Sequence, residues 1–136
     1  MNLNDAKTAL RYFIEAGIPT ALWGKPGIGK TDIAHQLAAE MDDTAIHVEA
    51  LNLLESVDMR GLPRAVGDSV VWCIPEMFQK VNALAKKHTR VILFLDEWNT
   101  APQSVMVPAA QLVWTGAIGP HKLESNVVII AAGNRQ

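Results

Sequence analysis

Eight residues near the amino end, Gly24-Lys25-Pro26-Gly27-Ile28-Gly29-Lys30-Thr31, have the types and spacing that hold a polyphosphate. Glycines let successive backbone N–H groups turn inward, and such a nest binds an anion without help from side chains. A helix opening at Lys30 adds the positive end of its dipole at the same point. The Lys30 ammonium can then reach the β- and γ-phosphates, and the Thr31 hydroxyl is placed to ligate Mg²⁺. With Asp32 directly following, residues 24–32 are the expected nucleotide-binding segment. The plain alternative is a glycine-rich turn before a helix. The flanks fit the chemical reading: residues 20–23 read as a strand, and Ile33, Ala34, Leu37, Ala38 and Met41 make a helical stripe just after.

Two further strand ends carry polar groups. The apolar run 91–95 leads straight into Asp96-Glu97. An aspartate at the carboxyl end of a buried strand can hold Mg²⁺ through its water shell, together with Thr31. Glu97 is then placed to polarise a water for in-line attack on the γ-phosphate. Taken alone, the two acids could merely cap the next helix. The run 127–131 leads to Gly133-Asn134, where an amide could donate to a γ-phosphate oxygen and accept from the attacking water. Taken alone, such an asparagine is often a turn former. Lys30, Glu97 and Asn134 are thus the expected catalytic residues, and Thr31 and Asp96 the expected Mg²⁺ ligands.

These groups need a scaffold that brings strand ends together. Asn4 or Asp5 can cap a first helix with Leu3, Ala6, Leu10, Phe13 and Ile14 on one side; Gly17 ends it, and Pro19 enforces an extended entry into the first strand. The helix after the glycine loop runs to about Met41, and residues 45–49 read as a second strand. Residues 50–75 are irregular by period, although 62–66 and 69–73 flank Gly67-Asp68 like a β-hairpin. Pro75 can start a helix carrying Met77, Phe78, Val81, Leu84 and Ala85. Residues 91–95 and 127–131 are apolar on both faces, as strands inside a parallel sheet must be. A helix after Pro102 puts Val105, Ala109, Leu112 and Val113 inward, and Pro108 should kink or delay it. Alternating strands and helices imply βαβ crossovers and a parallel sheet, whose ligands bind beyond the carboxyl ends of the strands.

The whole chain sets outer bounds. At 136 residues it suits one domain. Its 49% hydrophobic and 19% charged residues argue against disorder. The longest apolar run, 127–132, is far too short to span a bilayer, and the first residues lack a signal-peptide layout. One cysteine, Cys73, excludes an internal disulfide and fits a reducing cytosol, so a cytoplasmic location is expected. Four scattered histidines lack zinc-ligand spacing. The formal charge is −2, and the only basic cluster, Lys86-Lys87-His88 with Arg90, falls where it would complement a helix dipole; nucleic acid is not indicated as a partner. Trp23, Trp72, Trp98 and Trp114 are expected as core or hairpin-packing groups rather than nucleotide stackers.

In this order the residues resemble the AAA+ ATPases, and more narrowly their MoxR-like and dynein-related branch. The resemblance rests on residues 24–31, on Leu93-Phe-Leu-Asp-Glu-Trp-Asn-Thr-Ala-Pro102, and on Val128-Ile-Ile-Ala-Ala-Gly-Asn134. The middle string is similar to that branch's D-E-[hydrophobic]-N-[RK]-A-P segment, with Thr100 where a basic residue often stands. The last is similar to a sensor 1 strand, which makes Asn134 the sensor. Residues 58–63 and the following hairpin look like an insert near helix 2, and residues 117–123 occupy the place of a pre-sensor hairpin. The resemblance implies an α/β fold, a three-layer α/β/α P-loop sandwich with a mostly parallel sheet. It implies Mg²⁺-ATP hydrolysis, a homo-oligomeric ring when complete, and inserts facing a pore or a remodelled protein partner.

In such proteins an arginine finger, a fifth strand and a helical lid follow sensor 1, whereas this sequence stops two residues past Asn134. It therefore reads as a single, partial ATPase core over residues 1–136. Arg60, Arg64 and Arg135 are candidate charges acting in trans. The expectation for residues 1–136 alone is ATP binding with near-background turnover. A nucleotide-binding interaction module without useful turnover is the alternative. A GTP-using motor stays open too, because no residue identified here reads the base.

Overall fold

Val91, Leu93 and Leu95 point to one side of a strand and Ile92 and Phe94 to the other, and all five are fully buried. That alternation organises the molecule, whose computed structural model describes residues 3–24 and 29–134. Four strands form the main sheet: β1 (Thr20–Gly24), β2 (Thr44–Ala50), β5 (Arg90–Asp96) and β8 (Val127–Asn134). Every pairing is parallel, in the order β1-β8-β5-β2. Helices α1 (Leu3–Glu15) and α2 (Lys30–Glu40) cover one face, where Leu10, Ile14, Ala34 and Leu37 pack with Ile92, Phe94 and Ile130. The other face takes α3 (Ser56–Arg60), α4 (Glu76–Lys87) and α5 (Gln103–Thr115), through Met59, Phe78, Val81, Val105 and Leu112 against Val91, Leu93 and Leu95. The expected three-layer α/β/α arrangement is present, with a sheet that is wholly parallel.

Both anticipated hairpins form. β3 (Pro63–Val66) and β4 (Ser69–Trp72) pair antiparallel around Gly67-Asp68, and β6 (Ala117–Ile118) pairs with β7 (His121–Lys122). All residues of β3 and β4 are exposed, so this ribbon stands away from the core. The two hairpins meet at α3. His121 is buried, its Nε2 lies 2.8 Å from the Arg60 carbonyl, and its ring rests on Phe78. At the far end of the sheet, away from the strand ends that carry the polar groups, Asp43 accepts from the Thr89 hydroxyl, His88 and the Thr89 N–H. Those bonds, the Thr89 hydroxyl's foremost, hold its carboxyl below the ordinary range.

Three expectations are revised in part. Five-residue α3 lies inside the segment read as irregular, since a helix that short shows no period; its first turn is held by the Asp58 carboxylate accepting from Glu55 N–H at 2.8 Å. Pro108 does not delay α5, which opens at Gln103 and runs continuously to Thr115. Proline has no N–H to offer the Ser104 carbonyl one turn back, while Pro108 itself is buried. Finally, Trp98 packs on the core and Trp72 belongs to the β3–β4 hairpin, but Trp23 and Trp114 are 51% and 87% exposed.

Gly61 marks where the β3–β4 ribbon leaves the body. Its φ is +82°, and a Cβ there would lie 1.9 Å from the Cys73 carbonyl oxygen. Gly61→Ala is expected to destabilise the protein by more than about 2 kcal/mol in chemical denaturation, combining left-handed strain with backbone overlap. Gly67→Ala, at φ +60° but with open space around it, should cost only about 1 kcal/mol. Equal effects would contradict this packing.

Candidate active site

β1, β8 and β5 are neighbours and parallel, so their last residues, Gly24, Asn134 and Asp96, come out at one end of the sheet. The register pairs Gly24 directly with Asn134. Gly29 then caps α2 with φ +82°, a left-handed conformation that glycine adopts freely, and its carbonyl accepts from Ile33 N–H at 2.9 Å. The first two helical residues are Lys30 and Thr31, which places both beside the strand ends.

Side chains from these elements bond to one another. Lys30 Nζ donates to Asn134 Oδ1 at 2.9 Å and approaches the Gly24 carbonyl at 3.4 Å. Thr31 Oγ1 donates to Asp96 Oδ2 at 3.3 Å, while Asp96 Oδ1 accepts from Glu97 N–H at 2.8 Å. Both carboxylate oxygens of Asp96 are therefore fixed in direction. Its pairing with the Thr31 hydroxyl makes an all-oxygen set, the donor type that hard Mg²⁺ takes when it keeps waters and phosphate oxygens around it. All five of these side-chain-bearing residues, Lys30, Thr31, Asp96, Glu97 and Asn134, are half-buried, so a ligand can reach them.

Glu97 departs from regular structure, with φ +58° and ψ 40°. A non-glycine residue there carries strain of order 1 kcal/mol, kept only where surrounding contacts impose it. The turn Trp98–Thr100 imposes it here: the Thr100 hydroxyl donates to the Glu97 carboxylate at 3.0 Å and to its carbonyl at 3.3 Å.

Of the residues singled out from sequence, Gly24, Gly29, Lys30, Thr31, Asp96, Glu97 and Asn134 come together at this end. Asp32 is exposed in the first turn of α2, where its charge suits the helix dipole. Lys25, Pro26, Gly27, Ile28 and Arg135 lie outside the described residues. Arg60 closes α3 and Arg64 belongs to the exposed ribbon, so neither joins the strand-end cluster. Sequence reasoning gave no role to Asn99, whose amide Nδ2 donates to the Asn134 carbonyl at 3.0 Å and whose Oδ1 accepts from Asn134 N–H at 3.0 Å. Its place inside the Asp96–Pro102 string was the one available signal.

Residues 20–136 match the family described as AAA: ATPase family associated with various cellular activities. The chain belongs to that ATPase family. Comparison with curated proteins gives no significant match. Among solved structures, a Thermotoga maritima RuvB variant aligns with TM-score 0.61 and 22% identity, over 99% of this chain and 40% of that one. Caenorhabditis elegans PCH-2 aligns with TM-score 0.57 and 18% identity, over 97% of this chain and 37% of its own length. The chain thus spans no more than 40% of either, and at these identities the likeness is one of fold. No helix among the described residues is long and apolar enough to cross a membrane.

Proposed function

We propose that this chain binds Mg²⁺-ATP at the carboxyl ends of β1, β8 and β5 and hydrolyses it to drive remodelling of a protein partner. One observation carries the reading: Lys30, Thr31, Asp96 and Asn134 form two bonded pairs at neighbouring strand ends, with Glu97 one residue on. In this reading Gly24–Thr31 and Asp32 hold the nucleotide, and the Lys30 ammonium engages the β- and γ-phosphates. Thr31 and Asp96 hold Mg²⁺, which supplies charge neutralisation on the phosphate oxygens. Glu97 accepts the proton of the attacking water, and Asn134 meets the γ-phosphate. The exposed β3–β4 ribbon and the β6–β7 hairpin, which His121 ties to the end of α3, are inserts of a single nucleotide-binding unit and offer the surface for the partner. Placement in the MoxR-like branch, and work within a ring, rest on the strings 93–102 and 128–134. Arg60, Arg64 or Arg135 would then supply charge to a neighbouring copy's site.

A second reading, nucleotide binding without turnover, is favoured by the Thr100 hydroxyl held against the Glu97 carboxylate. Both readings need Mg²⁺-linked binding, so calorimetry with and without Mg²⁺ tests their common ground. Asp96→Asn removes the anionic partner of Thr31 and is expected to lose roughly tenfold of the Mg²⁺-dependent gain in ATP affinity. Unchanged Mg²⁺ dependence would remove Asp96 from the metal site. Absence of ATP binding by the unmodified protein would overturn the reading as a whole.

A further inference from the structure

The side-chain amide of Asn99 spends both halves on the backbone of one residue 35 positions away, its donor on the Asn134 carbonyl and its acceptor on the Asn134 N–H. On its β5 side, β8 is paired only as far as Leu95↔Ala131, while on its β1 side pairing continues to Gly24↔Asn134. The last residue of β8 thus lies beyond the end of β5. Asn99 supplies there the donor and acceptor that a neighbouring strand would have offered. The amide's orientation follows from chemistry, since a flipped amide would set donor on donor and acceptor on acceptor.

The neighbouring residue is shaped for this clamp. A Cβ on Gly133 would meet the Trp23 ring at 2.4 Å and Asn99 Oδ1 at 3.1 Å, so ring and amide close on bare backbone. Asn99 itself sits in the turn directly after Glu97. One short segment therefore carries the acid and grips the strand end that bears the Asn134 amide, whose Oδ1 is 2.9 Å from Lys30 Nζ.

We infer that Asn99 is a positioning residue for recognition of the γ-phosphate. It acts by fixing the Asn134 backbone relative to Lys30 and to the Glu97 turn. Strand ends fray unless tied, and an amide already held in place loses less freedom when a ligand arrives. The inference rests on the reading in which Asn134 meets the γ-phosphate. ADP lacks that group, so the clamp should matter for triphosphate and not for diphosphate.

The test is calorimetric titration of the full chain with Mg²⁺-ADP and with the Mg²⁺ complex of the imido analogue of ATP. Asn134→Ala should reduce the triphosphate-to-diphosphate affinity ratio roughly tenfold, the size of one hydrogen bond to a charged group. Asn99→Ala should reduce it by roughly 3- to 10-fold while leaving ADP affinity within about twofold. In the double variant the two losses should not add, because they remove the same contact. Asn99→Ser, too short to span both backbone atoms but still polar, should behave like Asn99→Ala and serves if the alanine variant unfolds. A residue that only stabilises the fold would weaken both nucleotides alike or change neither, and either outcome overturns the inference. So does an additive double variant. If Asn134→Ala leaves the ratio unchanged, the γ-phosphate role of Asn134 falls and the inference falls with it. A loss in Asn134→Ala with none in Asn99→Ala or Asn99→Ser sinks the clamp alone.

Discussion

Replacing Lys30 with alanine is expected to weaken ATP binding roughly 10- to 150-fold. The lost contact is a charge-assisted bond from the ammonium to phosphate, worth about 1.5–3 kcal/mol. The side chain is already aimed: it leaves the first residue of α2, is half-buried, and is held between the Gly24 carbonyl and Asn134 Oδ1. Those acceptors keep it beside the strand ends rather than out in water. Lys30→Arg is expected to rescue only part of the affinity, since a planar guanidinium cannot occupy the same point between two fixed acceptors. Calorimetric titration, with circular dichroism to confirm folding, measures the change. Equal binding by wild type and Lys30→Ala would mean that the glycine loop does not cradle a nucleotide.

Glu97→Gln is expected to keep Mg²⁺-ATP affinity within about threefold while removing about 10²–10⁴ of any hydrolysis rate, the usual share of a general base. An amide of nearly the same size fits the left-handed backbone position no worse than the acid does. It can still accept from Thr100. Proton acceptance is what it loses. Single-turnover assays on monodisperse protein give the comparison. Wild-type hydrolysis indistinguishable from that of Glu97→Gln would favour the reading without turnover. Rapid hydrolysis by Glu97→Gln would place the base elsewhere.

The sequence made the chemistry legible because strand ends do most of the positioning. The runs 91–95 and 127–131 are apolar on both faces, which declares a covered parallel strand, and the residue types that follow them have few other uses at such a place. Helices α4 and α5 showed their period over three turns. What stayed hidden depends on contacts between distant residues. The Asn99 clamp needs Asn134 to lie beyond the last residue of β8 that pairs with β5, and nothing local to residue 99 records that register. His121 looks like an ordinary hairpin residue until α3 comes against it. The exposed tryptophans follow the same logic: Trp23 lies on an edge strand and Trp114 near the end of a helix, where neighbours decide burial and residue type does not.

The strand order also dictates a timetable. β8 lies between β1 and β5, so of these four strands the last in sequence joins the first to the other two. While the polypeptide is being synthesised, β1 has no partner until residues around Ile130 have left the ribosome, some 110 positions after Thr20. At about 5–20 residues per second that interval lasts roughly 5–20 s. Throughout it the β1 backbone stays open to wrong partners, which makes the nascent chain a client for chaperones over a defined window. Nucleotide cannot shorten that window, because Gly24 and Asn134 become neighbours only when it closes.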